Sequence, residues 1–309
     1  MRKRLPLLVS FALLLLPSGV FAHPDFFIMG SGEINLQNVN KGGSVKIRYR
    51  KGEKDYDVTA LKKINQVYGS SYDDPVNRMS LRFLELLSYL QDHFNGAQIQ
   101  ILSGFRSSSV NQGLRNQGKM AAQSSMHIEA SAADIRLEGV EITKVKDYAM
   151  ELPCCGVGYY HGRHIHLDTG PKRWWDEKTS GTEKKEPQEN EKIILLTKKD
   201  IYSPGEAVDF DFARASDFPI GVPSAMSLEK QEKDQWKKID EGEIAFADKK
   251  SSQETCVKLG ERRQIKNLSF KPKKSLAPGR YRISVTFCEK QWTKMPDSIL
   301  SNEFEVRPE

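Results

Sequence analysis

The chain has 309 residues, 38% of them hydrophobic, with 47 Lys and Arg against 41 Asp and Glu for a net charge of +6. That length exceeds one typical domain, and so small a positive balance gives no ground for nucleic-acid binding, though it tolerates a mildly anionic polymer.

The N-terminus reads as an export signal. Arg2, Lys3 and Arg4 precede an apolar run from Leu5 to Leu16, then Pro17-Ser18-Gly19 and Val20-Phe21-Ala22. A basic start, a short apolar stretch and a small-x-small site predict a cleaved signal peptide over residues 1–22, with the mature chain starting at His23. The run is too short to span a bilayer and no second one follows, so stable membrane insertion is not expected. No Cys follows the cut, which argues against a lipid anchor. The protein is expected to be periplasmic or secreted. Removing three basic residues leaves 44 against 41 acidic ones, a net charge of +3.

In chain order, Ser44–Arg50 alternates apolar and polar residues as a strand does, and Asp57–Tyr68 reads as a short amphipathic helix. Pro75–Phe94 predicts a longer helix, because Met79, Phe83, Leu86, Leu87, Leu90 and Phe94 recur at three- and four-residue spacing. Asp73 or Asp74 before Pro75 would start it. Gln98–Leu102 predicts a strand, and Ile142–Leu152 a helix. Gly156–Tyr160 and His164–Asp168 predict a β-hairpin turning at His161-Gly162-Arg163. The fold class over residues 23–175 is therefore α+β with a small antiparallel sheet. Residues 176–192 (DEKTSGTEKKEPQENEK) hold almost no apolar side chain and read as a charged linker. Residues 193–309 hold seven short strand-like runs with turn signals at Ser203-Pro204-Gly205 and Ala277-Pro278-Gly279, which predicts an all-β sandwich.

The four cysteines are Cys154, Cys155, Cys256 and Cys288. An exported chain can oxidise them. A bridge between the neighbours Cys154 and Cys155 is not expected, whereas Cys256 and Cys288 lie in separate strand-like runs and could pair. None has the spacing of a zinc–thiolate site.

Four of the six histidines, His127, His161, His164 and His166, fall within forty residues of one another, together with Glu129, Asp134 and Asp168. On a strand, His164, His166 and Asp168 share one face while Ile165 and Leu167 point into a core. Such a face can carry a metal ligand with a proton-transferring neighbour, or only satisfied buried polar groups. Spacing alone does not bring residue 127 to residue 166.

One ordered set of motifs carries a resemblance. It runs through Ser103-Gly104-Phe105-Arg106-Ser107, Ser125-Met126-His127, Ala132-Ala133-Asp134, Gly156-Val157-Gly158-Tyr159-Tyr160 and His166-Leu167-Asp168-Thr169-Gly170. Over about residues 28–175 the chain resembles the D-Ala-D-Ala metallopeptidase superfamily, nearest its YcbK-type periplasmic murein endopeptidase branch. The resemblance implies a hedgehog/D-Ala-D-Ala-peptidase-like fold and a zinc ion held by His127, Asp134 and His166. His164 would be the general base and Arg106 a catalytic or substrate-binding residue that stabilises an oxyanion or grips a carboxylate. Ser125 would lie beside the metal and bind substrate. The implied partner is the peptide stem or cross-link of peptidoglycan, hydrolysed by a zinc-dependent endopeptidase. The rivals are a D,D-carboxypeptidase or dipeptidase of the same superfamily and a non-catalytic wall-binding protein. The chain departs from the pattern twice, with Ala130 where the superfamily commonly has Gly and with His164 where this branch often has an aromatic residue.

Of the remaining candidates, Glu129 lies off the pattern and reads as solvated. His161 reads as an exposed turn residue, and Trp174-Trp175 as a cap on the core. His23 with Asp25 could bind metal adventitiously. Tyr202-Ser203-Pro204-Gly205-Glu206 and Leu276-Ala277-Pro278-Gly279-Arg280-Tyr281-Arg282 loosely resemble bacterial Ig-like modules. Such a module implies a spacer or a binding surface of unknown partner, or, in a third reading, the working part of an adhesin-like protein.

Overall fold

The computed structural model describes residues 28–119, 121–179, 189–246 and 255–308. The signal segment 1–22, His23, Asp25 and the middle of the charged linker lie outside the described residues.

The first unit is built in the order β1 (Glu33–Asn38), β2 (Ser44–Arg48), a small hairpin of β3 (Arg50–Lys51) and β4 (Asp55–Tyr56), α1 (Val58–Tyr68) and α2 (Leu81–His93). There follow β5 (Ile99–Ser103), α3 (Ser108–Asn116), β6 (Ala132–Leu137), α4 (Ile142–Glu151), β7 (Gly156–Tyr159), β8 (Ile165–Asp168) and β9 (Arg173–Asp176). Its main sheet runs β2-β1-β5-β6-β8-β7-β9. It is larger than the small antiparallel sheet expected, and mixed. The crossover through α1 and α2 makes β5 parallel to β1, and the chain beyond β8 lays β9 parallel to β7 on the outer edge.

Local chemistry sets the helix ends. Asp57 caps α1 by accepting the Ala60 N–H at 3.0 Å. The second helix starts six residues later than its periodicity suggested. Asp74 spends its carboxylate on Val76 N and Asn77, closing a turn over Pro75–Ser80, and Ser80 supplies the cap to Phe83 N. Helix α3 has no apolar stripe, and of its described side chains Asn111 is the buried one, so its pattern gave no helical signal. The helices cover a core of Ile34, Leu36, Phe83, Leu87, Ile101, Ile135, Ile165 and Leu167.

The second unit has a separate core that includes Phe210, Phe212, Phe270, Tyr281 and Phe304. Among the described residues nine strands form its main sheet, and Ile220–Pro223 pairs with Cys256–Leu259 in a second, two-stranded one. The long strand Gln235–Ala245 was not legible, because its exposed positions include Lys237, Lys238, Glu241 and Glu243. Cys256 and Cys288 form a disulfide with Cα atoms 5.7 Å apart. Cys154 and Cys155 are also placed sulfur to sulfur, contrary to the expectation from their adjacency. At the ends of the charged stretch, Asp176 belongs to β9, and Asn190 is buried against Ser216 and Asp217.

Candidate metal centre

Strand pairing places the first two side chains. In the antiparallel ladder of β6 and β8, Asp134 stands directly opposite His166. Alternation sends Ile165 and Leu167 into the core and turns His166 and Asp168 to the other face. On the far side of β8, His166 faces Gly158 of β7. A Cβ on Gly158 would lie 2.5 Å from Cε2 of Trp175, so the missing side chain is what lets the indole approach. The Trp175 and His166 rings are 5.0 Å apart.

His127 arrives on the turn-rich loop between α3 and β6. Its Nδ1 lies 2.8 Å from the carbonyl oxygen of Gly104, which itself passes so close to Tyr68 that a Cβ would meet the Tyr68 oxygen at 2.2 Å. Three residues on, Ala130 has φ +51, the left-handed region where glycine is favoured. Its N–H donates to the His127 carbonyl at 3.3 Å and its own carbonyl accepts Ser80 N–H at 2.9 Å, which holds the turn in that conformation.

These contacts fix both histidine tautomers. A carbonyl oxygen only accepts, so the hydrogen on His127 is at Nδ1 and Nε2 presents a lone pair. His166 Nε2 lies 2.9 Å from Asp168 Oδ2, so its hydrogen is there and Nδ1 presents a lone pair. His127 Nε2 and His166 Nδ1 are 3.1 Å apart, and they lie 3.4 and 3.2 Å from Asp134 Oδ1. Three lone pairs thus converge in a site where all three residues are buried. They repel one another unless a cation sits among them. A proton on His166 Nδ1 would bridge one edge of the triangle, whereas a metal ion answers all three. A tetrahedral divalent cation with bonds of about 2.0–2.1 Å spaces its ligands about 3.3–3.4 Å apart, so the donor set fits such an ion without rearrangement.

The local electrostatics also favour positive charge at this point. Burial pushes the Asp134 carboxyl up, but the adjoining His127 and His166 imidazoles hold it well below the usual carboxylate range. Burial disfavours the His166 cation, yet the Asp134 and Asp168 carboxylates on either side of the ring raise its pKa. In His127 burial prevails over the pull of Asp134, and its pKa is lowered. Asp168 is buried too, but the His166 bond and the Arg173 charge keep it ionised. It accepts from Gly156 N, Gly170 N and Arg173 as well as His166, so its oxygens cannot turn away from the imidazole.

The other candidate residues border the same open cleft, whose lining includes Arg106, Ser125, Tyr160, His164 and Trp175. Arg106 donates from Nη2 to Asp134 Oδ2 at 2.6 Å and from Nε to Ser103 Oγ at 2.8 Å. That grip on the carboxylate oxygen not facing the histidines was not legible in the sequence. Ser125 Oγ accepts the His127 N–H at 3.3 Å and so shapes the loop. His164 stacks on Tyr160 with ring centroids 4.4 Å apart, and its buried Nδ1 has no hydrogen-bond partner among the described residues. Burial lowers its pKa; the nearby Asp134 charge opposes this, and Arg163 and His166 reinforce it.

Three expectations need correction. Glu129 is not solvated: its side chain is 2% exposed and pairs with Arg262 and Lys266 of the second unit. Those cations overcome the cost of burial and hold its pKa far below the usual range. His161 is half-buried and lies 2.7 Å from Asp176. The two tryptophans divide rather than cap the core together: Trp174 is 64% exposed, while Trp175 turns into the cleft.

Comparison with known proteins agrees with this layout. Residues 29–175 match the family model described as peptidoglycan L,D-endopeptidase MepK, and residues 189–305 match that of a bacterial Ig-like domain. The "Probable peptidoglycan L,D-endopeptidase MepK" of Haemophilus influenzae is 32% identical over 145 residues, which cover 46% of this chain and 77% of that protein. The peptidoglycan L,D-endopeptidase MepK of Escherichia coli K12 is 28% identical over 144 residues, 46% of this chain and 79% of that protein. The chain therefore belongs to the peptidoglycan L,D-endopeptidase MepK family of peptidases and carries a bacterial Ig-like domain behind the peptidase region.

Proposed function

We propose that this protein is an exported zinc-dependent endopeptidase that hydrolyses peptide bonds in the stems or cross-links of peptidoglycan, with the L,D bond named for its relatives as the first candidate. The peptidase unit spans residues 23–175 in a hedgehog/D-Ala-D-Ala-peptidase-like fold, behind a signal peptide of residues 1–22. Residues 193–309 are the Ig-like unit. The protein works in the periplasm or outside the cell. The observation that carries the reading is the meeting of three proton-free donors on His127, Asp134 and His166, each fixed in orientation by a further partner.

In this reading His127, Asp134 and His166 would hold the zinc. There it would supply Lewis-acid chemistry, polarising a carbonyl and lowering the pKa of water from about 15.7 to about 7. The chain's own residues do the rest. His164 borders the cleft with its imidazole neutral at neutral pH, because its pKa is lowered. It takes the proton of the attacking water and returns it to the leaving amine. Arg106 locks Asp134 through its second oxygen and places a guanidinium at the cleft, suited to an oxyanion or a substrate carboxylate. Ser125 keeps the His127 backbone in place and borders the substrate path. Trp175 covers one side of His166 and limits water there.

Digestion of purified peptidoglycan, read by mass spectrometry of the muropeptides, tests this. The expected result is loss of cross-linked species or shortening of stems, abolished by chelator and restored by zinc. Zinc-loaded protein that binds the wall and leaves the muropeptide profile unchanged would make it a binding protein instead.

A further inference from the structure

The Ig-like domain touches the metal-ligand loop itself. Glu129 follows His127 by two residues, and both its oxygens are engaged across the domain boundary. Oε1 accepts from Arg262 Nη1 at 2.9 Å and from the backbone N–H of Arg214 at 2.9 Å. Oε2 accepts from Arg262 Nη2 at 2.8 Å and from Lys266 Nζ at 2.5 Å. Lys266 is 1% exposed, and its second anionic partner is Asp211 at 3.4 Å. The same domain also holds the loop by its backbone: Arg262 Nη2 donates to the Ile128 carbonyl at 2.6 Å and Arg214 Nε to the Ser124 carbonyl at 3.2 Å. Arg214 further contributes to the lining of the cleft.

We propose that the Ig-like domain is a working part of the metal site, with Glu129 as a positioning residue through which Arg262 and Lys266 set the loop that carries His127. The proposal rests on the reading of His127, Asp134 and His166 as metal ligands. The loop from Ser124 to Ala130 belongs to no helix or strand, and its internal ties are single turn bonds such as Ile128 N to Ser125 O at 3.1 Å. Asp134 and His166 are fixed by a ladder; His127 is not. Its place depends on what grips the loop: Gly104, Arg106 and Ser80 of the peptidase unit hold it, and the Ig-like domain adds a grip on both sides of the histidine, at Ser124 and Ile128. A buried carboxylate that loses one of its two cations keeps only part of its charge compensation, so the loop shifts to rehydrate it. Ligands must be held to within about 0.5 Å to keep their geometry, so such a shift reaches the metal.

Zinc affinity of the full-length protein, measured by competition with a chromophoric chelator, tests this without using turnover. Arg262→Ala and Glu129→Gln are expected to weaken zinc binding by about 10–100-fold, the usual effect of removing a group that orients a ligand. Arg262→Lys should recover part of the loss. Asp200→Asn is the control: it breaks another interdomain pair, Arg82–Asp200 at 2.6 Å, and should leave zinc affinity unchanged. If Glu129→Gln fails to fold, Arg262→Ala carries the test, since that side chain is 22% exposed. Wild-type affinity in Arg262→Ala, or an equal loss in Asp200→Asn, overturns the positioning role alone. A wild-type protein that takes up no zinc overturns the metal reading and this inference with it.

Discussion

His166 and Asp168 stand two residues apart on one strand face, and His166 Nε2 donates to Asp168 Oδ2 at 2.9 Å. The carboxylate is itself held by Arg173 and two backbone N–H groups, so the imidazole is fixed in the tautomer that frees Nδ1 for a metal. Asp168→Asn keeps the volume but can turn its amide N–H toward the ring and favour the opposite tautomer. Zinc affinity is expected to fall about 10–100-fold with the fold intact. Unchanged affinity in a chelator competition would show that Asp168 only packs.

His164→Ala should separate binding from chemistry. The residue makes no bond to the three donors, so zinc stoichiometry should stay at that of the wild type, while turnover falls by about 10²–10⁴-fold. The wild-type activity should also show an acid limb set by protonation of this imidazole. Burial lowers its pKa, so the limb lies below the usual histidine value of about 6.5. Activity rises with pH through that point, and His164→Ala should flatten the limb. An acid limb that persists in the variant assigns the titration to another group.

Ala130 sits at φ +51 with its methyl fully buried. Left-handed backbone costs a non-glycine residue about 1–2 kcal/mol, and relief of that strain offsets the lost methyl burial of about 0.8 kcal/mol and the added chain entropy of about 0.5–1 kcal/mol. Ala130→Gly should therefore unfold in denaturant within about 1 kcal/mol of wild type, while the β-branched Ala130→Val should lose more than about 2 kcal/mol. A large loss in the glycine variant would contradict the strain.

Gly158 leaves the space that Trp175 fills beside His166. Gly158→Ala puts a methyl into the indole, so the ring must leave the cleft. The expected readout is a shift in tryptophan emission, with a fall in activity larger than the fall in zinc affinity. Unaltered emission and activity would show that the ring has room to move.

Much of the local structure was legible. Alternation over residues 164–168 placed His166 and Asp168 together, and Asp57 and the Leu and Phe spacing of α2 announced their helices. What the sequence withheld was long-range. No pattern gives the register that sets Asp134 opposite His166, or the reach of Arg106 to its second oxygen. Those residues were grouped through a resemblance, not through spacing. Glu129 read as solvated because its cations, Arg262 and Lys266, lie more than a hundred positions away in another domain. Pro75–Ser80 read as helix because Met79 fits the apolar period, while the Asp74 turn and the Ser80 cap that win there are side-chain bonds to nearby backbone.

The most direct test of the central claim is muropeptide mass spectrometry after digestion of peptidoglycan by the purified full-length protein, with zinc content measured on the same sample. The account predicts about one zinc per chain and a changed muropeptide profile. It also predicts that His166→Ala loses both, and that chelator abolishes the change until zinc is restored. An unchanged profile from zinc-loaded protein, or cleavage that persists in protein stripped of metal, would contradict it.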